Sequence, residues 1–306
     1  MKKVLVIHYS QSGQLSNVVR SFTQPLVESS AVSVTFENIH PKPDYPFPWP
    51  FLQFIDTFPE SVYLDPPLIQ PPGVGAGDDF DLIILAYQVW FLSPSLPVTG
   101  FLQSPVAAGL FNDKPVVTLI ACRDMWLMAQ EEMKKMLTGL GAHLVGNVAL
   151  VDEAGTIGSF LATPAWVLSG NRGPHLGGLI PRAGVADHQI EEASRFGQRI
   201  VEKFAGGEAL GPNLLQGLKA VRVNETLISS EKTARRAFRI WGKLLRRLGP
   251  QGSIKRKPVI VVYVVFLVAM IITVVPLGIV IKKAIAPWTR DRIARQKAYY
   301  GEPSGW

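Results

Sequence analysis

Cysteine is almost absent from this 306-residue chain, in which Cys122 is the only one. A single thiol excludes an internal disulfide and fits a reducing compartment. Clusters of histidine, cysteine and carboxylate residues with metal-ligand spacing are also lacking, so we expect no metal site. The apolar run after Met1-Lys2-Lys3 is too short for a secretory signal, so none is expected at the N-terminus.

Acidic residues are scarce in the last quarter of the chain. Residues 230–306 contain 16 lysines and arginines against 3 acidic residues, whereas the remainder contains 15 against 21. The main part is therefore acidic and the tail strongly basic, which indicates a tail that meets an anionic surface. Nucleic acid is one such surface. The long apolar run inside the tail favours membrane lipid instead, and we expect no nucleic-acid partner.

The most informative stretch runs from Val4 to Ser16. Four apolar residues, three of them β-branched, predict a buried strand, and a helical pattern follows after a short turn. The N–H groups of such a turn and the dipole of the helix both favour an anion, which predicts a phosphate-binding loop. The loop lacks the Gly-Lys-Ser/Thr of a Walker motif and the three glycines of a dinucleotide fingerprint. Its candidate residues are Ser10, Gln11, Ser12, Gly13, Gln14 and Leu15.

The chain alternates strands with helices, which predicts an α/β fold with a doubly wound parallel sheet. Four further strands are expected near 31–37, 80–86, 116–121 and 143–151. In such sheets ligands bind beyond the carboxyl ends of the strands, so the segments after the third and fourth strands are expected to face a flat ring. The residues assigned there are Tyr87, Gln88, Val89, Trp90, Phe91, Cys122, Arg123, Asp124 and Trp126.

Two irregular segments complete a domain predicted over 1–206. The insert at 41–79 contains ten prolines between Pro41 and Pro72, which block regular structure, and seven aromatic residues that could wall a pocket. The glycine-rich segment 152–186 is expected to be a loop. Within it His175 is a candidate acid or base. Arg123 is the candidate for stabilising negative charge during a reaction.

The tail is predicted to attach the protein to a membrane. After a linker at 207–230, residues 231–248 have an apolar face and an arginine-rich face, as in helices that lie at a membrane interface. Residues 258–281 carry no charge and predict one transmembrane helix of roughly 36 Å, and 282–306 form a basic tail. Lysine and arginine are nearly balanced on the two sides, so the positive-inside rule does not orient the span. We expect the main domain to face the cytoplasm. The alternative to a full span is a shallow re-entrant insertion of 258–281, with both of its ends on the cytoplasmic side.

The loop and the aromatic segment resemble flavodoxin-like proteins. Ser10, Ser12 and Gly13 match the hydroxyl-and-glycine loop that holds the phosphate of FMN in that family, whereas Leu15 departs from it. The resemblance implies FMN as cofactor and the strand order 2-1-3-4-5 in a five-stranded sheet. Trp90-Phe91 with Pro94 is similar to the loop that lies against the flavin in flavodoxin-like quinone reductases.

The first 20 residues, with the length and the basic apolar C-terminus, resemble the bacterial dialkylresorcinol condensing enzymes. This resemblance implies a pathway in which a ketosynthase, a possible partner, makes a cyclohexane-1,3-dione and another protein oxidises that ring to a resorcinol. Condensation itself requires a cysteine flanked by histidines, which Cys122 lacks in sequence. A flavin oxidant at the bacterial inner membrane, acting on a hydrophobic dione, is therefore the main functional hypothesis.

Three alternatives remain open, the last of them a scaffold that has lost flavin, which the departure at Leu15 allows. The first is an NAD(P)H:quinone reductase, suggested by the Trp90 segment. The second is a membrane-tethered flavodoxin-like electron carrier that binds no small substrate. The insert at 41–79 argues against a bare carrier because it supplies residues for pocket walls.

Overall fold

The computed structural model describes residues 1–152 and 154–303, without the side chains of 156–157, 159–160, 274–276 and 279–287. Five long parallel strands form the centre of the sheet, and two short antiparallel pairings are added at its edge and in the insert. The strands are β1 (Lys2–His8), β2 (Val32–Asn38), β3 (Pro41–Lys42), β4 (Leu68–Ile69), β5 (Leu82–Trp90), β6 (Ser93–Pro94), β7 (Pro115–Cys122) and β8 (His143–Val151).

The long strands lie in the order β2-β1-β5-β7-β8, and all four contacts between them are parallel. Because β1, β5 and β7 are covered on both faces, their apolar runs are continuous rather than alternating. The predicted α/β class and parallel sheet are confirmed, and the long strands follow the predicted order. The sheet gains a sixth strand, since β6 pairs antiparallel with β5.

Helices cover both faces of the sheet. They are α1 (Gln14–Glu28), α2 (Phe51–Asp56), α3 (Phe58–Tyr63), α4 (Leu96–Leu102), α5 (Pro105–Phe111), α6 (Leu127–Gly139), α7 (Gly155–Ser169), α8 (Asp187–Glu191), α9 (Ser194–Ala205), α10 (Ile228–Arg247) and α11 (Lys257–Gly301). One apolar core lies between the sheet and α1 with α9, and the other between the sheet and α4, α5 and α6. This two-sided packing holds the carboxyl ends of β1, β5 and β7 along one edge.

Helix α7 corrects the expectation of a loop over 152–186. Its sequence has no clear apolar period, and Pro164 lies inside it, so the helical signal was weak. Its end is nevertheless marked by Gly170, which has φ +76° and donates its N–H to the carbonyl of Trp166 at 2.7 Å. A left-handed glycine is a common helix terminator. The remainder, from Asn171 to Ala186, is irregular apart from a short 3₁₀ turn at Leu176–Gly178.

Helix α10 packs on the domain, although its pattern predicted an interfacial helix. Leu245 is fully buried, and Phe238 and Trp241 pack beneath the helix. This packing gives partners to two residues of the arginine-rich face. Arg235 forms an ion pair with Glu132, and Arg246 pairs with Asp65 at 2.8 Å. A separate interfacial role for α10 stays a prediction, carried by the exposed Ile240 and Leu244.

Glu231 anchors the start of α10 to the start of α6. Its Oε1 accepts the N–H of Met128 at 2.6 Å, and its side chain is fully buried. Burial raises the pKa of Glu231 to about 8, so the carboxyl is largely protonated in the folded protein at neutral pH.

Glu231→Gln should remove a pH-dependent loss of stability. The unfolded group ionises near 4.5 and the folded group near 8, so the unfolded state binds fewer protons between these values. Wild-type stability should therefore fall as pH rises through this window. At pH 9, relative to pH 5, the variant should gain on the order of 4 kcal/mol over wild type in urea unfolding. The exposed control Glu28→Gln should not gain, and parallel wild-type and E231Q profiles would contradict the assignment.

Helix α11 is one element of 45 residues, where the sequence predicted a span at 258–281 followed by a separate tail. Within the described residues one stretch, Ile254–Thr273, is long and apolar enough to cross a membrane. The end of the predicted span, at 274–276 and 279–281, lies outside the residues whose side chains the structure describes. The helix begins on the domain, where Arg256 is 1% exposed and lies 3.3 Å from Asp56 and 2.7 Å from Glu60.

Candidate functional site

The turn between β1 and α1 presents a row of backbone donors. Gly13 has φ +81°, a left-handed conformation that suits glycine, and it turns the chain into the helix. Ser10 Oγ accepts the N–H of Ser16 at 3.2 Å and so fixes the turn. Within residues 1–152 and 154–303, the N–H groups from Gln11 to Leu15 have no hydrogen-bond partner. Successive free N–H groups at a helix start form an anion cradle.

Gln14 and Leu15 contribute to this cradle through the backbone, because their side chains are used elsewhere. The Gln14 amide bonds to both backbone atoms of Val185, at 3.0 and 3.2 Å. Leu15 is fully buried among α1, the sheet and α9. The departure of Leu15 from the flavodoxin-like pattern therefore exchanges a hydroxyl for core packing and leaves its N–H in the turn.

A cavity of about 410 Å³ opens beside the cradle, and Arg172 lies in its wall. The guanidinium donates to the carbonyls of Ala183 at 3.0 Å and Val185 at 2.9 Å, which fixes it beside the loop held by Gln14. It also pairs with Asp187, whose pKa is lowered by hydrogen bonds from Arg182 and Arg172. No local pattern links Arg172 to a turn 160 residues earlier, so the sequence alone does not indicate its place in the site.

Three of the buried polar side-chain atoms that have no hydrogen-bond partner among the described residues lie near the carboxyl ends of adjacent strands. They are His8 Nδ1 at the end of β1, Gln88 Oε1 near the end of β5, and Trp126 Nε1 after β7. Buried polar atoms are normally hydrogen-bonded, so the orphans of His8 and Gln88, near the ends of the neighbouring strands β1 and β5, suit a site that accepts a polar ligand. Trp126 is fully buried in the core on the face of the sheet opposite α1. Burial lowers the pKa of His8, which keeps its ring neutral and able to donate or accept.

Strand β5 extends beyond its predicted end and carries part of the expected ring site inside the sheet. Tyr87 and Gln88 pair with Ile120 and Ala121 of β7. The Tyr87 side chain is fully buried, and its hydroxyl donates to Gln130 Oε1 at 2.6 Å, so it lies in the core rather than at the surface of a site. Val89 is partly buried against the same core.

Trp90 lies under the aromatic insert. Its ring is 6.1 Å from that of Tyr9, 5.0 Å from Tyr45 and 5.9 Å from Trp49, all in edge-to-face arrangements. The insert was expected to supply aromatic walls, and it folds directly over the segment that was expected to face a ring. Edge-to-face pairs of this kind stabilise a fixed orientation of the rings.

Phe91 packs in a second aromatic group, which the contact of Phe54 with Trp49 at 5.8 Å joins to the first. Its ring lies 5.1 Å from Phe54, 5.8 Å from Phe58 and 6.4 Å from Phe238 of α10. Phe91 and Leu92 have φ +48° and +62°, and they form the two-residue turn between β5 and β6. Such turns normally use Asn-Gly, and non-glycine residues in this region store roughly 1–3 kcal/mol each. The β5–β6 turn is therefore a strained element at the edge of the site.

The segment after β7 brings a thiol, a guanidinium and two carboxylates together. Burial raises the pKa of the Cys122 thiol, with Asp124 adding to the effect, so the residue is a poor nucleophile. Burial lowers the pKa of Arg123, while the nearby Asp124 and Asp152 oppose that shift and favour its charged form. Asp152 accepts the N–H of Gly184 at 2.9 Å and so ties this group to the cradle side.

His175 lies apart from the other candidate catalytic residue. Its Nε2 is 3.1 Å from the carbonyl of Asn171, and its backbone bridges to Ile180 in the same loop. The described contacts of His175 are thus local. Its assignment as acid or base stays a prediction.

The strand order and the cradle after β1 define a flavodoxin-like α/β fold. An FMN-bound flavoprotein from Lactobacillus acidophilus is 15% identical, with a TM-score of 0.40 over 49% of this chain and 93% of that one. Flavodoxin 1 from Bacillus cereus is 14% identical, with a TM-score of 0.37 over 66% and 98%. A WrbA-like protein from Agrobacterium tumefaciens is 13% identical, with a TM-score of 0.35 over 67% and 99%. At TM-scores this low the similarity carries no functional argument.

No family model and no curated protein sequence matches the chain. The resemblance to dialkylresorcinol condensing enzymes therefore stays a prediction.

Proposed function

We propose that this protein is an FMN-dependent oxidoreductase that binds the cofactor phosphate at the turn between β1 and α1. The observation that carries the proposal is the row of unpaired N–H groups from Gln11 to Leu15. The orphaned atoms of His8 and Gln88 supply polar partners for a ring at the adjacent strand ends. When bound, FMN supplies the capacity to accept two electrons.

The substrate we propose is an alkylated cyclohexane-1,3-dione, which becomes a dialkylresorcinol. The dione loses two electrons and two protons. Both electrons and one of the protons pass to the cofactor. The other proton is released to a base or to water. Aromatic stabilisation of the product drives the change. The role implies a place in bacterial lipid or pigment synthesis, with a ketosynthase as supplier of the dione.

A cavity of about 480 Å³ supports a substrate with apolar arms. It lies between the aromatic insert and the first turn of α11, and Tyr45 belongs both to its wall and to the Trp90 cluster. A pocket that combines apolar walls with polar groups suits an amphiphilic ring. Its apolar lining includes Tyr45, Leu52, Pro67 and Ile260, and its polar lining includes Asp44, Gln53, Asp56, Gln251, Ser253 and Lys257.

The apolar stretch Ile254–Thr273 supports membrane attachment of this enzyme. A long-chain dione partitions into lipid, so attachment would bring the cavity to the place where the substrate is concentrated. The proposed location is the inner membrane, with the sheet domain in the cytoplasm.

Arg123 is proposed to hold the negative charge of the dione enolate. Its guanidinium is half-buried, and Asp124 and Asp152 favour its charged state. Fixed charge in a site shielded from water stabilises a developing anion more strongly than in bulk solvent. Asp124 is itself oriented, since its Oδ2 accepts from Asn224 at 2.9 Å.

The test is to mix FMN-loaded protein with a synthetic alkylated dione in the absence of oxygen. We expect the visible flavin absorption to bleach and one equivalent of resorcinol to form. Arg123→Gln should slow this single turnover on the order of 10²-fold per bound FMN. Arg20→Gln, at an exposed position of α1, is the matched control and should not slow it.

Two other outcomes would replace the proposal. Rapid reduction by NAD(P)H and reoxidation by a quinone, with no response to the dione, would indicate a quinone reductase. Electron exchange only with a partner protein would indicate an electron carrier. Failure to bind FMN at all would remove the whole proposal.

A further inference from the structure

Both ends of α11 lie on the domain. At its start, Arg256 is buried against Asp56 and Glu60, and the ring of Tyr263 stacks on Phe58 with 4.5 Å between centroids. Ile260 is 2% exposed in the same cluster. The first two turns are therefore fixed to the insert and to α10.

The last turns of α11 return to the same domain. Lys297 pairs with Glu225 at 2.7 Å, and the hydroxyl of Tyr299 donates to Glu131 at 2.9 Å. The ring of Tyr300 is 5% exposed and lies 5.5 Å from Lys232 Nζ. These contacts involve α6, α10 and the turn that precedes α10.

A straight helix cannot make both sets of contacts. A straight path of 45 residues is about 67 Å long. Arg256 Nε bonds to the carbonyl of Leu245 at 3.1 Å, and Tyr300 contacts Lys232, so α10 links the two ends. The 13 residues from Lys232 to Leu245 rise about 20 Å, and with fully extended side chains the ends of α11 are at most about 50 Å apart. The path of α11 therefore turns back between its two contacts.

The sequence supplies reasons for a turn. Pro276 and Pro287 lie between the two contacts, and a proline inside a helix removes a hydrogen bond and bends the axis. From Lys282 to Gly301 the chain carries seven charged residues, and each such charge costs roughly 2.5–3.5 kcal/mol at the centre of a bilayer. The returning part is thus unsuited to crossing the hydrocarbon core.

The outgoing part of α11 exposes apolar surface that no part of the described chain covers. Five large apolar side chains in its first five turns are 48% to 67% exposed. They are Val261, Val262, Val265, Val268 and Ile272. Exposed apolar surface of this extent marks an interaction site.

The residues next to this surface indicate what covers it. Lys255 and Lys257 precede it and are exposed, and Arg290, Arg292 and Arg295 lie exposed on the return. Trp288 is 83% exposed at the beginning of the described return. Tryptophan and basic residues around an apolar segment suit the headgroup layer of an anionic lipid surface.

We propose that α11 dips into one leaflet of an anionic membrane and returns to the side from which it entered. The domain and residues 288–303 then lie on the same side of the membrane. This inference concerns topology and does not depend on the proposed chemistry.

The test is labelling of introduced cysteines in the full-length protein within bacterial membranes. Arg247→Cys, exposed at the end of α10, reports the domain side, and Arg295→Cys reports the return. A membrane-impermeant maleimide is added to sealed spheroplasts or to inverted inner-membrane vesicles. We expect both cysteines to react in inverted vesicles and neither in spheroplasts. The parent protein, with Cys122 alone, gives the background.

Labelling of Arg295→Cys in spheroplasts, with Arg247→Cys protected, would overturn the proposal in favour of a full span. Recovery of the protein in the supernatant after a carbonate wash, as a monomer or as a soluble oligomer, would also overturn the proposal. Arg290→Cys is a second return position, used if the first variant does not accumulate. Its labelling decides between the same outcomes.

Discussion

Ser12→Asp should lower the affinity for FMN by at least about 10²-fold, because the new carboxylate would lie in the cradle that receives the phosphate. The Ser12 hydroxyl has no partner within the described residues, and the neighbouring N–H groups converge at the start of α1. Two like charges about 4 Å apart near a protein surface repel by roughly 4 kcal/mol. Titration of FMN into apoprotein, followed by quenching of flavin fluorescence, measures the change.

Ser12→Asn is the matched control, because it has nearly the same shape as the aspartate without its charge. We expect it to lose much less affinity than Ser12→Asp. Equal binding by wild type and Ser12→Asp would show that the phosphate lies elsewhere. Equal loss in both variants would indicate a steric effect instead of a charge effect.

Arg256→Met should destabilise the protein by roughly 3–5 kcal/mol, because two carboxylates would be left in a buried site without their cation. In the wild type the guanidinium reaches Asp56 and Glu60, and its Nε bonds to the carbonyls of Leu245 at 3.1 Å and Gly249 at 2.8 Å. Urea unfolding of the detergent-solubilised protein measures the loss.

Two further variants separate the ion pairs from general damage. Lys255→Met removes a neighbouring exposed charge and should have little effect. Adding Asp56→Asn and Glu60→Gln to Arg256→Met should restore much of the lost stability, because no unpaired charge then remains. A triple variant as unstable as Arg256→Met alone would contradict this explanation.

The parallel sheet could be predicted because its strands are short apolar runs separated by turn residues. Val4 to Ile7 is such a run, and buried parallel strands require this composition. The turn after it was equally visible, since its residues are contiguous. The cradle N–H groups follow from the local sequence and from Gly13.

The parts that were missed depend on contacts between distant residues. Arg172 reaches the cradle through a loop that follows α7, and α7 itself has no clear period. The apolar face of α10 predicts a partner but cannot name it. Lipid and the domain satisfy the same pattern, and only tertiary contacts distinguish them, such as the ion pairs of Arg235 with Glu132 and of Arg246 with Asp65. A local sequence pattern therefore predicts that a helix has an apolar face, but only the tertiary fold determines what packs against that face.

The ion pairs of Arg256 also set an order of events during synthesis. The last strand of the sheet ends at Val151, whereas Asp56 and Glu60 receive their cation from a residue about 200 positions later. Domains begin to fold from the N-terminus as the chain leaves the ribosome. The sheet can therefore form before α2 and α3 have made their ion pairs with Arg256. Until α11 emerges, the nascent chain holds two uncompensated acids, and Phe58 lacks the Tyr263 ring that stacks on it. The C-terminal segment therefore completes a fold that began at the first strand.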